Sequence, residues 1–158
     1  MKRLAVAFSG PSNSGKTTLI RKVAKNFIDL GYKVVIIKHD PKDKASFDVE
    51  GKDSFKFSEI GADVVVMSPK RTTYFCKEYM ELSSVISMIA EFDYLLVEGL
   101  KTLPLPRISV FRDKIDESYL PFSNAIATDL NGDFGIKNFD INDYSSICEW
   151  INKNAKKV

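Results

Sequence analysis

Histidine occurs once in this chain, at His39, and cysteine twice, at Cys76 and Cys148. A metal-delivery protein of the nickel-chaperone kind needs clustered His or Cys ligands, and that scarcity argues against one. The cysteines lie far apart and outside any C-x-x-C pair, so they read as small, buried or half-buried hydrophobes rather than a disulfide or metal site. No apolar run reaches the roughly 20 residues of a membrane-spanning helix. Excess charge is missing too. Lys and Arg total 23 and Asp and Glu 21, for a net charge of +2, which gives no argument for a nucleic-acid or membrane partner. Repeats and low-complexity segments are absent. The opening MKRLAVAF imitates a signal peptide, but its apolar stretch is short and runs straight into a glycine-rich loop, so a cytoplasmic location is expected.

That loop is the strongest feature present. GPSNSGKTT, Gly10 to Thr18, satisfies G-x-x-x-x-G-K-[ST], with Gly10, Gly15, Lys16 and Thr17 at the fixed places. Its glycines let the backbone curl so that successive N–H groups, through Ser12, Asn13, Ser14 and Thr18, face phosphate oxygens. The helix that follows adds its positive end. Lys16 can reach the β and γ phosphates, and the Thr17 hydroxyl can ligate Mg²⁺. A strand-like run precedes the loop and an amphipathic helical pattern follows, as a P-loop requires.

The 158 residues, 44% hydrophobic and 28% charged, suit one nucleotide-binding domain over residues 1–158. Strands are predicted at Leu4–Phe8, Tyr32–Lys38, Asp63–Ser68, Thr72–Tyr79, Asp93–Gly99, Arg107–Phe111 and Asn124–Thr128. Helices are predicted from Gly15 to Leu30, Gly51 to Ala62, Leu82 to Phe92 and Asp143 to Asn154. This alternation predicts an α/β chain, a P-loop NTPase three-layer fold with a mostly parallel sheet flanked by helices. The run TTYFC, after the Pro69 turn, is aromatic and β-branched and reads as an exposed edge strand that a second copy of the chain would cover.

In such sheets ligands sit beyond the carboxyl ends of the strands. Four predicted ends would meet on one rim: the P-loop, Lys38-His39-Asp40, Glu98-Gly99 and Asp129. Glu98 follows four apolar residues and, beside a P-loop, reads as a Walker-B-like acid for Mg²⁺ rather than a solvated strand end. Asp40 can hold a metal-bound water or position an attacking one, so Lys16, Asp40 and Glu98 are the catalytic candidates and Thr17, Asp40 and Glu98 the metal candidates. His39 is either structural or a nucleotide or partner contact. In DVEGKDS, Asp48 or Asp53 can cap a helix; alternatively Asp48, Lys52 and Asp53, with Lys38 and His39, form a switch that senses nucleotide state. Asp129 can accept the paired donors of a guanine edge, or merely cap the loop LNGDFG. No N-K-x-D motif supports the choice of base. Arg71, Arg107 and Arg112 are scattered, which disfavours a small-molecule kinase with an arginine-bearing lid.

Taken in order, GPSNSGKTTL, IIKHD, DVEGKDSFKFSEIGA, LLVEGLK and RISVFR resemble the MobB family of molybdopterin-guanine dinucleotide biosynthesis. AIATDLNG followed by FDIND resembles the family's ending. The resemblance implies a GTP-binding homodimer with weak GTPase activity and Mg²⁺ dependence. It also implies a supporting role in attaching GMP to molybdopterin, beside the pathway's guanylyltransferase. A binding adaptor with incidental hydrolysis uses the same residues. The chain departs from its relatives at Pro41, Lys42 and Asp43, where further histidines are common, and at Leu100, where Phe is common.

Overall fold

The computed structural model describes all residues from Met1 to Val158 and separates into two compact units, Met1–His39 with Glu91–Val158, and Asp40–Ala90.

The first unit is built on a seven-stranded sheet. Its strands are β1 (Leu4–Ser9), β2 (Val34–Lys38), β5 (Tyr94–Glu98), β6 (Arg107–Phe111), β7 (Ala125–Thr128), β8 (Asn138–Asp140) and β9 (Lys156–Lys157). The spatial order is β2-β5-β1-β6-β7-β8, all parallel. The two-residue β9 pairs antiparallel with Leu4 and Ala5, below the point where β6 joins β1 at Ala7. Central strands such as β1 (LAVAFS) and β5 (YLLVE) are apolar on both faces because both faces are covered.

One cover is helical. In α1 (Lys16–Asp29), Leu19, Ile20, Val23, Ala24 and Phe27 recur at helical spacing and are all buried. They pack with Ile147, Cys148 and Ile151 of α4 (Tyr144–Asn154) onto Val6, Phe8, Leu96, Ile108 and Val110. The alternate residues of β6 face the other way. There Ser109 meets Ser123 at 2.6 Å and the Phe111 ring lies 6.0 Å edge-on from Tyr119, so the 3₁₀ turn Glu117–Phe122 covers that side.

Helix ends follow local chemistry. At the carboxyl end of α1, Gly31 N–H donates to Ile28 and Tyr32 N–H to Phe27, a Schellman closure. Phe27 and Tyr32 meet edge-on at 6.3 Å, and Phe27 stacks on Tyr94 at 3.9 Å. Asp143 caps α4, accepting from Ser146 N–H at 3.1 Å.

The second unit holds α2 (Asp53–Glu59), the antiparallel hairpin of β3 (Val64–Ser68) and β4 (Arg71–Phe75), and α3 (Leu82–Met88). Its helices are shorter than the predicted Gly51–Ala62 and Leu82–Phe92. No apolar stripe holds their ends, since neither helix has a buried residue. Likewise β4 stops at Phe75, short of the predicted Tyr79. The hairpin pairs with no other strand, and Val65, Met67 and Tyr74 are exposed on it. The mostly parallel sheet with flanking helices has the architecture of an α/β P-loop NTPase fold. No helix is long and apolar enough to cross a membrane.

Candidate functional site

The P-loop joins β1 to α1. Gly10 has φ 134°, and a Cβ there would lie 2.2 Å from the Val110 carbonyl oxygen, so only glycine fits. Gly15, at φ 93°, is the N-cap of α1, and no side chain caps that end. The helix therefore presents its first N–H groups to the loop without a side-chain acceptor. Lys16 lies back across the loop, its Nζ donating to the carbonyls of Gly10 at 2.8 Å and Pro11 at 2.6 Å. Ser14 is 3% exposed, and its Oγ is buried with no hydrogen-bond partner. An orphaned hydroxyl costs free energy unless something else satisfies it. Uncapped N–H groups, an orphaned hydroxyl and a lysine held only by loop carbonyls are a donor set suited to an anion.

The strand register places the rim residues. Glu98 of β5 is level with Phe8 of β1 on one side and Lys38 of β2 on the other. Burial pushes the Lys16 pKa below its ordinary value, the Glu98 charge raises it in part, and Lys38 lowers it further. His39 N–H donates to the Glu98 carbonyl at 3.1 Å, and a Cβ on Gly99 would lie 3.3 Å from His39 Cβ, so the imidazole sits over the Glu98-Gly99 turn. At the end of β7, Asp129 is exposed, and its Oδ1 accepts the Asp113 N–H at 3.1 Å. That bond ties the β7 end to the β6 end, a link different from a cap on LNGDFG. Lys16, Thr17, Lys38, His39, Glu98 and Asp129 thus belong to one unit and one rim.

The remaining candidates belong to the second unit. Asp40 accepts backbone N–H bonds from Lys44 and Ala45, both at 2.7 Å, and so organises its own loop. Asp48 accepts from Val49 N–H and Ser54 Oγ, while its Oδ2 is buried without a hydrogen-bond partner. The N-cap of α2 is Lys52, with no side-chain cap, so neither Asp48 nor Asp53 serves as the cap. Asp53 lies 3.9 Å from Lys56 in an exposed ion pair.

Two arginines carry more than sequence reasoning assigned them. Arg107, 1% exposed, donates to Ser9 Oγ and to the carbonyls of Gly99 and Leu100, bracing the turn after Glu98. Arg112 shares a cavity of about 350 Å³ with Asn13, Gly15, Lys16, Thr17 and Thr18. Applying the strand-end rule to RISVFR would have found Arg112; nothing in the local pattern marks Arg107 as buried.

No group of three or more His, Cys, Asp or Glu side chains is arranged to hold a metal. The Thr17 hydroxyl and the Glu98 carboxylate are oxygen donors of the kind a hard cation takes.

Comparison with known proteins agrees with the fold. The family profile of molybdopterin guanine dinucleotide synthesis protein B, MobB, matches residues 5–129. A Haemophilus influenzae molybdopterin-guanine dinucleotide biosynthesis adapter protein is 30% identical over 158 residues, covering 92% of this chain and 86% of the relative. A Methanocaldococcus jannaschii protein named for the same biosynthesis is 32% identical over 111 residues. That match covers 66% of this chain, which spans about half, 46%, of the relative's length. A crystal structure of molybdopterin-guanine biosynthesis protein B superposes with a TM-score of 0.76 at 25% identity, covering 95% of this chain and 97% of the other. With its P-loop, its strand-end acid and the family match across most of its length, the chain belongs to the MobB family.

Proposed function

We propose that this chain binds GTP with Mg²⁺ at the P-loop rim, hydrolyses it weakly, and supports the attachment of GMP to molybdopterin beside a guanylyltransferase. The observation that carries the reading is the loop itself: an orphaned buried Ser14 hydroxyl, an uncapped helix start and a partly desolvated Lys16 converge on one anion-sized place. Lys16 exchanges its loop carbonyls for β and γ phosphate oxygens, the P-loop N–H groups hold the phosphate chain, and Asp129 receives the base. Thr17 and Glu98 would hold Mg²⁺, which neutralises phosphate charge when bound. The roles of Asp40 with an attacking water, and of His39, Lys38, Asp48, Lys52 and Asp53 as a nucleotide-sensing segment, belong to the same proposal. So does a cytoplasmic homodimer joined through the exposed β3–β4 hairpin, which light scattering at micromolar concentration would test.

A second reading keeps the binding and makes hydrolysis incidental, the chain acting as an adaptor that presents nucleotide or molybdopterin to the transferase. The naming of the Haemophilus relative as an adapter favours it. Titration with GTP, ATP and molybdopterin, followed by steady-state turnover with and without the transferase, separates the two. Turnover stimulated by the transferase supports the GTPase; a bound but unstimulated nucleotide supports the adaptor. Lys16→Ala that keeps its fold and its GTP affinity refutes both.

A further inference from the structure

The rim has an order that assigns a role to Arg112. Neighbouring strands run β5, β1, β6, β7, and their carboxyl ends present Glu98, the P-loop, Arg112 and Asp129 in that sequence. A nucleotide laid across the loop with its terminal phosphates toward Glu98 must carry its base toward Asp129. The segment between, the α-phosphate and ribose, then passes Arg112.

Local geometry agrees. A Cβ built on Gly15 would lie 3.4 Å from Arg112 Nη2, so the guanidinium stands at the edge of the loop where α1 begins. It shares its cavity with Thr17 and Thr18, whose N–H groups open that helix. Lys16 lies toward Gly10 and Pro11 instead. The two cations therefore stand at different places along the loop. Arg112 is exposed, and its guanidinium makes no hydrogen bond or ion pair within the chain. Its backbone is nonetheless well placed. The next residue, Asp113, has φ 65° and donates its N–H to Asp129, which ties the arm that carries Arg112 to the proposed base-reading acid. The buried Ser14 hydroxyl without a partner is an independent sign that the same loop is completed by a ligand.

We propose that Arg112 is a nucleotide-binding residue that grips the α-phosphate of a nucleoside di- or triphosphate through its planar fork. The inference rests on the P-loop reading above. A guanidinium makes paired, charge-assisted bonds to phosphate oxygens that a lysine cannot copy.

The test is calorimetric titration of the full-length wild type, Arg112→Ala and Arg112→Lys with GTP, GDP and inorganic tripolyphosphate. Because Arg112 braces nothing in the fold, the variants should unfold at the wild-type urea midpoint. Arg112→Ala is expected to weaken all three ligands by about ten- to hundredfold, and Arg112→Lys to recover only part of that loss. If wild type binds GTP and Arg112→Ala binds it equally well, the inference falls while the P-loop reading stands. If GTP weakens but tripolyphosphate does not, Arg112 stacks on the base and the phosphate role is overturned. Wild type that takes up none of the three overturns the P-loop reading and this inference with it.

Discussion

Replacing Arg107 tests how the rim is held together. Its guanidinium donates to Ser9 Oγ at 2.6 Å, to the Leu100 carbonyl at 2.8 Å and to the Gly99 carbonyl at 3.0 Å, with a longer contact to Leu103 at 3.4 Å. No carboxylate pairs with it, and burial lowers its pKa, although an arginine stays charged. The turn it grips needs holding. Leu100 sits at φ 50°, in the left-handed region, where a non-glycine residue carries about 1–3 kcal/mol of strain. In Arg107→Met an apolar side chain about as long as the arginine's aliphatic stem leaves three close acceptors without donors. Each orphaned buried acceptor costs about 1–3 kcal/mol. Ser9 is buried and bears the full cost, whereas Gly99 and Leu100 are half-buried and regain water. Relief of the buried cation's desolvation offsets part of the loss. The net loss should be about 2–4 kcal/mol, or roughly 5–15 °C in Tm. Urea unfolding followed by circular dichroism measures it, and Arg107→Lys should recover part. A methionine variant within about 0.5 kcal/mol of wild type would show that the four bonds are not what holds the turn.

Three further outcomes are expected. Glu98→Gln keeps the shape of the strand end and removes its charge, so GTP affinity should fall more with Mg²⁺ than without; equal shifts in the two titrations place the metal elsewhere. Asp129→Asn should reduce the preference for GTP over ATP by roughly 1–3 kcal/mol and raise affinity for xanthosine triphosphate, whose C2 carbonyl meets the new amide. An unchanged order among the three nucleotides removes Asp129 from base recognition. Hydrogen bonding from Ser146 holds the Asp143 carboxyl below its usual pKa. Its stabilisation is therefore present above about pH 4 and lost as pH falls through the depressed value. The stability gap between wild type and Asp143→Ala should narrow steadily in acid unfolding below that pH, and a gap that stays constant contradicts the assignment.

What the sequence by itself determined is what depends on neighbours in the chain. The P-loop was legible because its backbone curl, its two demanding glycines and the start of α1 lie within nine consecutive residues, Gly10 to Thr18. The helix α1 was legible through to its Gly31 stop because 3.6-residue periodicity and a Schellman closure are both short-range. Continuous apolar runs announced β1 and β5 as strands buried on both faces. The tertiary structure decided the rest. Glu98 stands level with Phe8 although 90 residues separate them, because parallel pairing is specified by packing and crossovers and leaves no local mark. The same holds for β9, whose two lysines carry no strand pattern and pair only because β1 offers a free edge below Ala7. Nothing in RISVF marks Arg107 as buried, yet it is buried because Ser9 and the turn after Glu98 supply its acceptors. Arg112 likewise reaches the P-loop only when β6 is laid beside β1, and Asp129 meets the end of β6 only when β7 is laid beside β6.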